Sequence, residues 1–148
     1  DCKLVIAGKT GGPYQQVMLS ELERHNLQQD VFFVGYLSPE MLCAHYIHAL
    51  AFVFPSLNEG FGMPVVEAMS LGTPVITSNL SSLPEVAGGA ALLVDPTDID
   101  DISRTMERIF YDPDIRAVLV QKGYRQAKKF SWGKTARDYL SLLEKGVS

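Results

Sequence analysis

Short, almost uninterrupted apolar runs alternate along this chain with longer segments in which apolar residues return every three or four positions. Cys2–Ala7, Val31–Val34, Ala51–Phe54, Pro74–Thr77 and Ala91–Val94 are the short runs, and glycine, proline or loop composition bounds them. Runs of this form predict strands, and strands apolar on both faces are expected to be buried in a parallel sheet covered by helices. Between them, residues 14–27 set Met18, Leu19 and Leu22 on one side and Gln15, Glu21 and Glu23 elsewhere, predicting a helix that ends near Asn26. Ser38-Pro39 supplies an N-cap and a first-turn proline for a helix carrying Met41, Leu42, Tyr46 and Leu50. A helix over 64–71 is expected to open with Pro64 at its first position and to stop at Gly72, and Ser81–Glu85 reads as a loop running into a short helix.

The last third carries helical periodicity alone. Ile99, Ile102, Met106 and Ile109 mark a helix begun by Thr97 with Asp100 three residues later, a capping-box-like start. Residues 113–129 read as another helix, and Ala136, Tyr139, Leu140 and Leu143 mark an amphipathic final one over about 133–146, expected by default to pack on its own domain. Strands alternating with helices predict an α/β fold, a doubly wound, Rossmann-like parallel sheet in one domain spanning 1–148. Ligands of such sheets sit beyond the carboxyl ends of the strands, and Gly8, Gly35 and Glu59 all follow strand ends.

The chemistry concentrates in Pro55–Met69, where the third strand runs into Glu59-Gly60-Phe61-Gly62-Met63-Pro64. The first-turn amides of a helix have no partner inside it, and two glycines allow a ligand to approach the backbone, so an anion suits the spot. Glu59 in the loop and Glu67 about one turn into the helix bracket that anion site with carboxylates. A ligand with hydroxyls at both ends and phosphate in the middle reconciles the two, and a nucleotide sugar has that layout. The bland alternative is a strand–loop–helix turn with two solvated glutamates.

Composition narrows the partners. The 148 residues suit one domain, with 47% hydrophobic, 9% aromatic and 20% charged residues, ordinary values for a globular chain. Net charge −4 offers no global basic field for nucleic acid or an anionic membrane, so any phosphate site is local. Cys2 and Cys43 form neither a disulfide framework nor a metal-ligand spacing. No apolar run approaches a transmembrane span and no signal-peptide form opens the chain, so a cytoplasmic location is expected, with peripheral attachment to the inner face of a membrane left open.

The glutamate pair, filled as E-G-F-G-M-P-V-V-E and preceded by F-P-S, resembles the donor site of retaining GT-B glycosyltransferases, the group 1 or fourth sequence family. The resemblance continues through Leu71–Ser78, Ser82–Gly88, Leu92–Pro96 and Phe130–Trp132. It implies the C-terminal, donor-binding half of a hexosyltransferase. Glu59 would be the catalytic residue, meeting donor-sugar hydroxyls and supporting the reacting centre as a positioner rather than a nucleophile. Gly60, Phe61, Gly62 and Met63 would lie along sugar and diphosphate, Glu67 would hold the ribose, Tyr36 would lie beside the nucleobase, and Ser78–Ser82 would lie near the diphosphate. Gly8 and Lys9 join the donor set at the carboxyl edge, where a cation would offset a diphosphate leaving group. The Asn79–Glu85 neighbourhood resembles mannosyl- and rhamnosyltransferases of surface polysaccharides, which points to GDP-mannose. No cofactor or metal is required, and the acceptor glycan or lipid-linked sugar would be held by an N-terminal domain to which the final helix would cross.

Two departures bear on activity. Family members place a strand ending in a G-R-L-like turn, then a lysine, just upstream of the stretch that opens this chain at Asp1. A fragment without that first strand and helix, or the acceptor domain, is therefore expected to be inactive alone. Competing motifs fall away. Gly8-Lys9-Thr10 lacks the upstream glycine of a phosphate-binding loop, where Lys3 stands, and Gly8–Gly12 is not a dinucleotide fingerprint. Asp98-Ile-Asp100-Asp101 opens a helix, where acids suit the dipole, and His45 and His48 with Cys43 lack a further ligand cluster. A non-enzymatic nucleotide-sugar module and a GT-B epimerase or phosphorylase remain the alternatives.

Overall fold

A computed structural model describes residues 2–146. Five strands and seven helices follow one another as β1 (Leu4–Ala7), α1 (Pro13–Arg24), β2 (Val31–Gly35), α2 (Pro39–His48), β3 (Phe52–Phe54), α3 (Met63–Ser70), β4 (Val75–Ser78), α4 (Leu83–Ala87), β5 (Leu92–Val94), α5 (Ile99–Tyr111), α6 (Pro113–Ala127) and α7 (Trp132–Gly146). Among the described residues no helix is long and apolar enough to cross a membrane. The chain divides into two compact units, one running to Leu42 and the other from Cys43 onward.

In the first unit β1 and β2 pair in parallel, Leu4 opposite Val31 and Ala7 opposite Gly35, with the register shifting between Ile6 and Ala7. The expectation that these strands are buried does not hold: Leu4, Val5 and Phe32 are 41%, 43% and 47% exposed, and no described residue before Leu42 is buried. A two-stranded sheet has an edge strand on each side, and one twelve-residue helix cannot cover both of its faces. The apolar pattern is strand-like, but it does not supply the neighbours that burial needs.

The second unit holds the core. Its three strands are parallel in the order β3-β4-β5, and every residue of β4 is buried. Ile76, Val94, Ile109 and Leu119 form a buried cluster, while Val65, Ala68 and Met69 of α3 are also buried. A fully buried side chain of this size contributes roughly 1.5–3 kcal/mol relative to exposure. Gly123 lets α6 approach α3 closely, since a Cβ there would stand 3.4 Å from Met69. The buried polar side chains are satisfied: Thr73 Oγ1 donates to the Tyr46 carbonyl (2.6 Å), Thr77 Oγ1 to that of Phe54 (2.9 Å) and Gln126 Nε2 to that of Val86 (2.9 Å).

Caps fix the helix boundaries. Ser38 Oγ accepts from the Met41 amide at 3.3 Å, as its position before Pro39 predicts. The cap of α5 is Asp98 rather than Thr97, and its Oδ1 accepts from the Asp101 amide at 3.0 Å. Thr97 is already engaged, donating its amide (2.8 Å) and hydroxyl (2.7 Å) to Asp95 Oδ1. That pair of bonds holds the Asp95 carboxyl below the usual carboxylate range. At the other end of the chain, Tyr139, Leu140 and Leu143 of α7 are 63%, 57% and 51% exposed, so the apolar stripe does not pack on its own domain as expected by default. The α7 backbone begins at a turn where Ser131 Oγ accepts from the Lys134 amide at 3.2 Å, and its described side chains are all exposed.

Candidate functional site

The loop from β3 to α3 is built by its own residues and by the segment preceding α4. Ser56 Oγ donates to Glu59 Oε1 at 3.3 Å and is 3.3 Å from the Asn58 carbonyl, so the Glu59 side chain is tied to the start of its own loop. The Glu59 amide donates to Ser81 Oγ at 3.1 Å, and Ser82 Oγ lies 2.9 Å from the Glu59 carbonyl and 3.1 Å from that of Phe61. Gly62 closes the loop in the left-handed region, φ 95° and ψ 47°, and forms the N-cap of α3 without a side-chain cap bond. Glycine is required there on two counts, because a Cβ would carry the φ penalty and meet Leu83 Cδ2 at 2.6 Å.

The start of α3 differs by one residue from expectation. Met63 opens the helix and Pro64 follows, so the missing amide of proline falls in the first turn, where it costs nothing. The Val65 amide turns back to the Gly62 carbonyl at 3.0 Å, whereas those of Gly60, Phe61, Gly62 and Met63 donate to no described residue. Gly60, Phe61 and Met63 are exposed and Gly62 is buried, and at Gly60 nothing lies within 4 Å of where a Cβ would stand, so the start of α3 is a place where a helix dipole could favour an anion.

Glu67, half-buried, lies one turn along α3, close enough to Tyr46 for its charge to act on the phenol. Burial first, then Glu67 and then Cys43 push the Tyr46 hydroxyl up to about 12. Beside the loop is a cavity of about 430 Å³, lined among others by Gly60, Phe61, Ser82, Lys129, Phe130 and Lys134. The Phe61 and Phe130 rings meet edge to face there, with centroids 5.4 Å apart. Neither Glu59 nor Glu67 lines that cavity.

Glu59, Gly60, Phe61, Gly62, Met63 and Glu67 thus form one continuous segment of the second unit. Gly8, Lys9 and Tyr36 belong to the first. There Gly8, at φ 135°, donates its amide to the Gly35 carbonyl at 2.8 Å, and Gly8 and Lys9 line a hollow of about 620 Å³ with Gly11, Gly12 and Tyr14. Tyr36, just after β2, is 82% exposed. Ser78 is buried, with Oγ accepting from the Leu80 amide at 3.0 Å, so its side chain shapes the turn after β4. Sequence reasoning met Ser56, Leu83 and Phe130 only inside the matched stretches and gave them no role at the loop, and it set Ser81 and Ser82 near the diphosphate by resemblance without the bonds that they make to Glu59 and Phe61. A bond spanning 22 or 23 positions, as between Glu59 and these serines, leaves no local signature.

Known proteins place the chain. The family model for glycosyl transferases group 1 matches residues 1–126. An Escherichia coli O-antigen chain mannosyltransferase B is 41% identical over 129 residues, 87% of this chain and 34% of the relative, so the chain spans about a third of that curated protein's length. A sucrose-phosphate synthase from Thermosynechococcus elongatus superposes with a TM-score of 0.85 at 29% identity, covering 97% of this chain and 38% of that one. HepE of Anabaena, crystallised with UDP and glucose, matches in fold with a TM-score of 0.84 at 19% identity over 97% of this chain and 40% of its own. The chain belongs to the group 1 glycosyl transferases, and its α/β architecture is that of the C-terminal, Rossmann-like half of the GT-B fold.

Proposed function

We propose that this chain is the donor-binding domain of a retaining glycosyltransferase that moves a mannosyl group from GDP-mannose to an acceptor hydroxyl in glycan synthesis. The observation that carries the reading is the run of four unengaged amides from Gly60 to Met63, flanked by the carboxylates of Glu59 and Glu67. Breaking the glycosidic C–O bond develops negative charge on the diphosphate and positive charge on the sugar ring. Amide dipoles at a helix start favour the first, and a carboxylate near the ring favours the second, which lowers the barrier without a metal. Glu59, anchored by Ser56, serves as a positioner of donor hydroxyls, and Glu67 takes the ribose diol. The acceptor would be a glycan or lipid-linked sugar held by a separate domain, and the location cytoplasmic.

The mannosyl assignment is supported by the E. coli relative, a mannosyltransferase by name, and a nucleoside diphosphate by the UDP held by HepE. Calorimetric titration of the protein that carries this chain with GDP-mannose, UDP-glucose and NAD tests both. Binding of GDP-mannose with UDP-glucose weaker is expected. Preference for UDP-glucose overturns the donor assignment, and binding of NAD alone overturns the whole reading.

A further inference from the structure

The backbone of the loop that carries Glu59 is held in part from outside the loop. Its residues 59 and 61 are fastened from outside, and Gly60 between them is left open. Ser82 occupies the N-cap position of α4, yet its hydroxyl makes no cap bond there. The hydroxyl instead reaches across to the carbonyls of Glu59 and Phe61, at 2.9 and 3.1 Å. Ser81 beside it takes φ 53°, a conformation rare for a residue with a side chain, while accepting the Glu59 amide. On the far side, the Phe61 ring meets Phe130 edge to face. Phe130 sits in the turn after α6, its amide bound to the Ala127 carbonyl at 3.1 Å, and α6 is tied to α4 through Gln126 and Val86. The serines and the phenylalanine therefore rest on one connected piece of the fold.

Resting on the donor-binding reading above, we infer that Ser82 and Phe130 are positioning residues: one through its hydroxyl and one through its ring, they hold the Glu59–Gly62 backbone in the form that a nucleoside diphosphate sugar meets. The Ser82 hydroxyl, its one proton shared between the two carbonyls, fixes the 59–60 and 61–62 peptide units on either side of the Gly60–Phe61 peptide and uses none of the loop's own amides to do so. Pre-orienting donors in this way removes the ordering cost that a loose glycine loop would impose on binding. The resemblance sets Ser82 near the diphosphate, but the clamp acts through the loop backbone, which exchange in the absence of ligand separates from any contact with the donor.

The test compares wild type, Ser82→Ala, Ser82→Thr and Phe130→Leu in the protein that carries this chain. Hydrogen exchange of a ligand-free peptide covering 55–63 reports the loop, and calorimetry with GDP-mannose and UDP-glucose reports affinity. Loss of one such hydrogen bond corresponds to about a tenfold effect. Ser82→Ala is expected to speed loop exchange and raise Kd by about tenfold, with exchange of the β4 peptide and the unfolding transition as in wild type, and Ser82→Thr to restore both. Loop exchange and Kd unchanged in Ser82→Ala overturn the inference, as does a loss that Ser82→Thr does not restore. Should Ser82→Ala fail to fold, Phe130→Leu, which keeps an apolar side chain in the cavity, carries the same two measurements. A wild type that binds neither nucleotide sugar defeats the donor reading, while the ligand-free exchange still judges the clamp.

Discussion

Replacing Gly62 by alanine tests the geometry that sets the loop. At φ 95° and ψ 47° an alanine pays for a left-handed conformation, about 1–2 kcal/mol. Its Cβ would also stand 2.6 Å from Leu83 Cδ2, and Leu83 is fully buried, so the contact is relieved only by repacking. Overpacking of that kind costs typically about 1–3 kcal/mol, giving a combined loss of about 2–5 kcal/mol. For a domain of this size that lowers the thermal midpoint by roughly 5–15 °C. Gly60→Ala is the control: its Cβ meets nothing within 4 Å and its φ is not positive, so stability is expected to stay within about 1 kcal/mol of wild type. Urea denaturation followed by circular dichroism measures both. A Gly62→Ala loss below about 0.5 kcal/mol, or one no larger than that of Gly60→Ala, would refute the reasoning, since it would mean that Leu83 yields freely and the conformation is not required.

Other consequences follow from the same structure. Glu67→Ala removes a charge-assisted pair of hydrogen bonds to the proposed ribose diol, so Kd for GDP-mannose should rise about 10- to 100-fold by calorimetry while the thermal midpoint moves little. The Tyr46 hydroxyl, raised from 10.0 to about 12, gives a pH effect: the unfolded phenol loses its proton first, so stability should fall as pH rises from 10 to 12. Tyr46→Phe should abolish that decline in urea midpoints. The 148 residues by themselves should show no mannosyl transfer from GDP-mannose in a radiolabel assay, whereas robust turnover would mean that no further domain is needed.

Sequence periodicity located all five strands and the order of the helices, because buried parallel strands and amphipathic helices leave strong apolar patterns. It gave β4 its buried character correctly, since Val75 and Ile76 are flanked by elements that cover both faces. The same pattern misled for Leu4, Val5 and Phe32: a strand's composition records what it is suited to pack against and says nothing of whether those neighbours are present. At α5 the cap moved from Thr97 to Asp98 because Asp95 competes for the threonine, a local contest that a spacing rule does not weigh. The exposed stripe of α7 shows the limit of an amphipathic signal, which identifies an apolar face without naming what covers it. The Glu59–Glu67 segment was legible since its spacing is local, whereas Ser82 and Phe130 act on it across 23 positions and across a ring contact.

The central claim is that a nucleoside diphosphate sugar lies along the α3 start between two carboxylates. A crystal structure of the protein with GDP-mannose bound measures this directly. The account predicts phosphate oxygens within hydrogen-bonding distance of the amides of residues 60–63, the ribose diol on Glu67 and hexose hydroxyls on Glu59. A donor whose phosphates bind away from that helix start, or whose ribose and hexose leave both glutamates untouched, would contradict it.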